Sequence, residues 1–377
     1  MNFIDRYIYL KSVFNLRDEC IPLHDPAVEI RNVNFCSDFS KNEFVLDKRS
    51  FIDSQINENL HFNYPVFVPV GNKKNNKAIL LVHGLNERSW NKHLGWAYQL
   101  CKSTGKSVIL FPISYHMNRG PAIWTDPHEM GKLIEIRKNS FPGIQYSTIV
   151  NLALSERLTM VPQRFFMSGF NYADDLIKLI KDIKSGNHPL LQEGTEIDYF
   201  AYSIGVFLMQ CLIMADPENL FRNSKFVFFA GGSLFSEMNG VSRFIMDNKA
   251  FERIYHYFLN EMEEEILHDG EYSRVLGESS MGKAFRAMIR ADKYKKMRDK
   301  VIDYFRPRIL IIALRDDKVV PLKGILDLFG KQALIKVMHF KFPCIHENPF
   351  PVHLSHALES VDKAFNKVFM QSAAFLA

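Results

Sequence analysis

Five stretches of the chain are almost wholly apolar and rich in β-branched or aromatic residues: 78–84 (AILLVHG), 107–113 (SVILFPI), 197–203 (IDYFAYS), 225–232 (KFVFFAGG) and 308–314 (RILIIAL). Continuous rather than alternating runs of this length predict strands buried on both faces, as in a parallel sheet covered by helices. Helical spacing of apolar residues falls between them, at 93–103, 173–185 and 204–215. A sixth strand is expected at 334–342 and a last helix from 353 onward. Strand and helix in alternation predict an α/β fold built on a doubly wound, mostly parallel sheet.

Two of the spacings are too long for simple crossovers. About 80 residues separate the second run from the third and about 75 the fourth from the fifth, so both gaps are expected to hold extra helices. The pattern therefore divides the chain into an N-terminal extension, 1–60, and a core, 61–377, with helical insertions at about 114–195 and 236–305. The second insertion is read as a cap over the C-terminal edge of the sheet. Its basic run Lys293, Lys295, Lys296, Arg298 and Lys300 is read as a solvated face. Residues 27–35 alternate enough for an outer strand, and the prolines of 64–71 suit an edge position. The polar stretch 72–77 reads as a solvated turn.

Composition narrows the classes without choosing among them. The chain has 377 residues, 47% hydrophobic and 24% charged, enough for one large core with added layers. A net charge of +5 over that length is too weak to argue for nucleic acid. The five cysteines are odd in number, scattered and without a CxxC pair, which predicts reduced, mostly buried thiols and no zinc site. No run reaches the roughly 18 apolar residues of a membrane span. The first twenty residues carry Asp5, Arg6 and Lys11 and lack a signal-peptide pattern, so a cytoplasmic location is expected.

The candidate chemistry sits at the ends of the predicted strands. AYSIG (201–205) is a G-x-S-x-G frame with Ala201 in the place of the first glycine. Such a frame either caps a helix with Ser203 or holds Ser203 up as a nucleophile on a sharp strand-to-helix turn. LLVHGLNERSW (80–90) ends an earlier strand in His83-Gly84, where a second oxyanion-binding amide is needed. Leu85 and Ile204 N–H are the expected pair, with His83 bracing the loop. RDDKVVP (315–321) supplies an acid after a later strand, Asp317 in preference to Asp316. After the last strand, His346 is the preferred base and His353 the runner-up. His339 is assigned to the strand itself and His356 to the final helix.

The order nucleophile, acid, base, each after a buried strand, resembles the α/β-hydrolase superfamily over roughly residues 64 to 377. LLVHGLN, AYSIG, RDDKVVP and IHENPF carry the resemblance. It departs from the pattern in Ala201, in the insertion at 114–195 and in lacking a glycine directly before His346. The resemblance implies an α/β-hydrolase fold with helical caps. It implies a serine hydrolase acting through Ser203, Asp317 and His346 on a small-molecule acyl substrate, a carboxylic ester or thioester, with amides also possible. Tyr115, His116, Arg119 and Trp124, in the segment after the second core strand, are expected to line the pocket, Arg119 as a partner for a substrate carboxylate.

Neither a phosphate-binding loop nor a dinucleotide fingerprint is present, so no cofactor is expected. HENPF begins like H-E-x-x-H, but Phe350 occupies the second histidine's place. A metal-dependent hydrolase built on His346, His353 and His356 is the weaker reading, and no metal site is expected. The alternative from another class is a non-catalytic protein that keeps the scaffold for binding, since fold does not fix function. Substrate identity, chain length and oligomeric state are not specified by these residues.

Overall fold

The computed structural model describes residues 1–38, 53, 55–71, 74–354 and 357–377. Nine strands form one sheet: β1 (Cys20–Pro22), β2 (Val28–Cys36), β3 (His61–Pro69), β4 (Asn75–Val82), β5 (Ser107–Leu110), β6 (Leu191–Tyr202), β7 (Phe226–Phe229), β8 (Ile309–Leu314) and β9 (Leu334–Met338). Their order is β1-β2-β3-β5-β4-β6-β7-β8-β9. The pairs from β5 through β4 to β9 are parallel, and β1 to β3 add an antiparallel flank.

Twelve principal helices surround the sheet: α1 (Phe3–Val13), α2 (Asn91–Thr104), α3 (Pro127–Ser140), α4 (Leu152–Met160), α5 (Arg164–Lys184), α6 (Ile204–Ala215), α7 (Asn248–His256), α8 (Glu271–Glu278), α9 (Ser280–Ile289), α10 (Lys295–Phe305), α11 (Leu322–Phe329) and α12 (Leu358–Leu376). The long gaps in the strand pattern hold α3 to α5 and α7 to α10.

Successive strand residues point to opposite faces, and each face has its own core. Leu80, Val82, Ile109, Tyr199, Phe228 and Ile311 pack under α5, α6 and α9. Ile79, Leu81, Leu110, Phe200, Phe229 and Ile312 pack under α1, α2 and α12. On this second face aromatic rings form a stacked column, with Phe3–Phe365 centroids 4.0 Å apart, Phe365–Phe369 4.4 Å and Phe200–Phe369 5.5 Å. The sheet is thus buried on both sides, which is why its strands read as unbroken apolar runs.

Three expectations are corrected. The 64–71 stretch forms β3, which lies inside the sheet between β2 and β5. Its prolines are tolerated because the β3–β5 ladder covers only Val66 and Phe67, so Pro65 and Pro69 owe that neighbour no N–H. Arg298 is not on a solvated face: it is buried and donates to the carbonyls of Ala287, Arg290, Ala291 and Lys293. Of the five free cysteines only Cys101 and Cys211 are buried, while Cys36 and Cys344 are exposed. Residues 72–73 of the polar stretch lie outside the described residues, and Asn75–Lys77 already belong to β4.

Candidate active site

Ser203 stands between the last residue of β6 and the first of α6, with φ 58° and ψ −126°. A non-glycine residue with positive φ is strained, and it persists only where packing over-determines it. Two close approaches do so here. A Cβ on Gly205 would lie 2.7 Å from the carbonyl oxygens of both Val82 and His83. One on Gly231 would lie 2.6 Å from Val206 Cγ2 and 2.7 Å from the Ser203 oxygen. Helix α6 can approach β4 and β7 this closely only past bare glycines, and that approach sets the turn.

The Ser203 hydroxyl lies 2.5 Å from His346 Nε2. His346 follows β9 in a turn closed by Asn348 N–H donating to Ile345 O, at 3.0 Å. Its Nδ1–H reaches Asp317 Oδ2 at 2.7 Å. The other carboxylate oxygen, Oδ1, accepts Val319 N–H at 2.9 Å and Val320 N–H at 3.0 Å, so the acid is gripped from both ends. The two side chains are almost wholly buried, 2% exposed for His346 and 1% for Asp317. Tyr202 supports the imidazole from the serine side, its hydroxyl donating to the His346 carbonyl and its ring lying nearly parallel to the imidazole at 5.7 Å.

The competing residues point elsewhere. Asp316 is exposed and pairs with His339 Nδ1 at 2.9 Å. His339 itself lies just past the end of β9. His353 is exposed, and His356 lies outside the described residues. Among the described residues no group of three or more His, Cys, Asp or Glu side chains is placed to hold a metal ion. No described helix is long and apolar enough to cross a membrane.

His83 is buried, with Nε2 accepting Ile113 N–H at 2.9 Å. That acceptor role puts the ring proton on Nδ1, which donates to Gly84 O at 2.8 Å. Burial holds its pKa well below the ordinary histidine value, helped by the neighbouring His116. The ring therefore ties the loop after β4 to the loop after β5 as a neutral brace.

Leu85, Phe165 and Ile204 are shared by the walls of two small cavities beside Ser203. One, of about 30 Å³, includes Ser203 with Ile245, Met246, Ile254 and Val320. The other, of about 70 Å³, runs between α5 and α6 and is closed by Met281 and Phe285 of α9. Tyr115 and His116 line this second cavity. Arg119 does not. It is fully buried, its guanidinium held by Asp175 at 2.7 Å, by Asn59 and by the Pro112 carbonyl, so the expected carboxylate partner is already supplied by the protein. Trp124 also lies off the cavity, under the guanidinium of Arg157 at 4.6 Å.

Several wall residues escape the sequence reading. Arg157 and Arg164 line the larger cavity and share Asp53, each 2.7 Å from one of its oxygens. More than a hundred residues separate the partners, so no local pattern marks them. Phe165, Met281 and Phe285 read in the sequence as ordinary helix core, with nothing to distinguish a cavity wall from a packed interior.

Strand order, the strained serine turn after β6 and helices on both faces define a fold of the α/β-hydrolase type. The chain belongs to the family of unknown function DUF6051, whose profile matches residues 1–377. No curated protein matches it. Among solved structures it is similar to carboxyl esterase 2 of the mycorrhizal fungus Tuber melanosporum, at 10% identity over 99% of this chain and 98% of that one, with a TM-score of 0.44. It is similar to a hyperthermophilic esterase of the archaeon Pyrobaculum calidifontis at 11% identity over 98% and 90%, with a TM-score of 0.42. A cold-adapted esterase from an Arctic intertidal metagenomic library gives 11% identity over 95% and 99%, with a TM-score of 0.40. The chain's own strand order and register carry the fold.

Proposed function

We propose that this protein is a serine hydrolase that cleaves a carboxylic ester or thioester of a small-molecule acyl substrate through an acyl-enzyme. The observation that carries the reading is the hydrogen-bonded chain from Ser203 Oγ through His346 to Asp317. Asp317, unable to turn because Oδ1 is held by two amides, keeps the proton of His346 on Nδ1. Nε2 then offers its lone pair to the serine hydroxyl, takes the proton as Oγ attacks the carbonyl, and returns it to the leaving alcohol or thiol. Water repeats the path to release the acid.

The amides of Leu85 and Ile204 take the role of oxyanion donors in this reading, which is worth about 2 to 4 kcal/mol per donor in comparable sites. The two cavities that meet at these residues take the acyl and leaving-group limbs, with Tyr115 and His116 in contact with one of them. A panel of p-nitrophenyl esters from acetate to decanoate, with one acyl thioester, tests the proposal. Turnover by wild type and its loss in Ser203→Ala support it. Wild-type rates no higher than buffer across the panel, or full activity in Ser203→Ala, reject it.

A further inference from the structure

One ammonium group touches all three segments that meet at the candidate site. Lys92, in the first turn of α2, pairs with Glu87, two residues beyond Leu85 in the loop after β4. Its Nζ donates to the carbonyl of Glu347, next to His346, at 2.6 Å. It also lies over the ring of Tyr202, next to Ser203, 4.6 Å from the centroid. The Lys92 and Glu87 side chains are only 17% and 15% exposed, so these contacts are poorly screened by solvent.

The surroundings leave the ammonium little other use. Glu87 is lifted above the ordinary carboxylate range by burial, against the opposing pull of Lys92. Gly84 brings the same loop against Tyr202: a Cβ there would lie 3.1 Å from its ring and 3.2 Å from Glu87 Oε1. Glu347 completes the layer, its carboxylate accepting the Ser242 hydroxyl from the second insertion. Two short loops and the residue before the strained turn therefore share one cation. Besides the Ser203–His346 hydrogen bond and the parallel rings of Tyr202 and His346, the Tyr202 hydroxyl on the His346 carbonyl ties the imidazole loop to the serine turn, and Lys92 joins both to the loop after β4.

We infer that Lys92 is a positioning residue, which locks the loop of His346 against the loop of Leu85 and the Ser203 turn so that base, nucleophile and oxyanion amides hold one geometry. The role rests on the serine-hydrolase reading for its consequence in catalysis, but the clasp itself is a property of the loops. Misplacing reacting groups by about 1 Å costs on the order of a hundredfold in rate without touching the chemistry.

Lys92→Met in the full-length chain, compared with wild type, separates the two levels. On the best ester of the panel, kcat is expected to fall about 10- to 100-fold while KM changes by less than about threefold. Hydrogen exchange, read by mass spectrometry, is expected to quicken about tenfold or more over 344–349 and 84–88, with β4, β6 and β8 as protected as before. Lys92→Arg, which keeps the charge, recovers part of both losses. If Lys92→Met does not fold, Glu87→Gln removes the same ion pair isosterically and is expected to loosen the 84–88 loop. Unchanged exchange over 344–349 in a folded Lys92→Met protein, or a rise spread evenly over the whole chain, overturns the inference. A wild type that hydrolyses no ester counts against the proposed function, and the exchange result still decides the clasp.

Discussion

His83 and His346 are both buried, both bonded through each ring nitrogen, and both lie at the rim of the same sheet. They differ in what the nitrogens touch. His83 meets two backbone groups, a carbonyl and an amide, neither of which can take or give a proton at ordinary pH. His346 meets a hydroxyl on one side and a carboxylate on the other, so the ring can accept a proton and find its charge balanced. Burial alone therefore does not distinguish the two imidazoles. In the proposed reading, their partners do.

The comparison breaks most readily at the ionisable end. His346→Ala removes the acceptor of the serine proton, and ester turnover is expected to fall by about 10⁴-fold or more. Asp317→Asn keeps the shape but loses the carboxylate that fixes the Nδ1 proton, with an expected loss of about 10³- to 10⁴-fold in kcat. Steady-state kinetics on both, with circular dichroism to verify folding, is the check. Losses under about tenfold place the reacting group elsewhere.

Four buried histidines have a different signature, in stability. His116 and His188 are each pulled down to about 4, and His83 and His93 well below the ordinary value, all chiefly by burial. Their folded pKa values lie below the unfolded 6.5, so the stability they contribute is complete above about 6.5 and is lost as pH falls through the folded values. His116 alone accounts for about 3 kcal/mol over that interval. Chemical denaturation at pH 7.5 and pH 4.5 is expected to show a steep loss. A flat profile denies that these rings are buried and neutral.

The smallest effect separates the two histidines directly. His83→Leu strands the Ile113 amide and the Gly84 carbonyl, which is expected to cost about 1 to 3 kcal/mol of stability. Because burial holds the ring's pKa well below the ordinary histidine value, the shape of the pH–rate profile is expected not to move. A changed profile makes His83 a participant instead of a brace.

These residues also show what a chain reveals of itself. The core strands are legible because burial on both faces leaves unbroken apolar runs, and the serine, acid and base candidates are legible because each follows such a run closely. The position of β3 misleads because proline content reports a missing donor, while the neighbouring ladder covers just two residues of that strand. Arg298 and Arg119 mislead for a related reason. A lysine-rich run or a long loop looks solvated until the carbonyls or the carboxylate that meet the guanidinium are known. Arg157 and Asp53 carry no local mark at all, since each gains its partner from a segment distant in sequence, and Lys92, though close to Glu87 in the chain, meets Tyr202 and Glu347 only through the fold.

In the proposed reading Ser203 is a nucleophile activated by His346. A fluorophosphonate probe, followed by peptide mass spectrometry, tests it most directly. One adduct is expected, on Ser203, absent in Ser203→Ala and formed far more slowly in His346→Ala. A folded wild type that takes no label, or an adduct on a different serine, contradicts it.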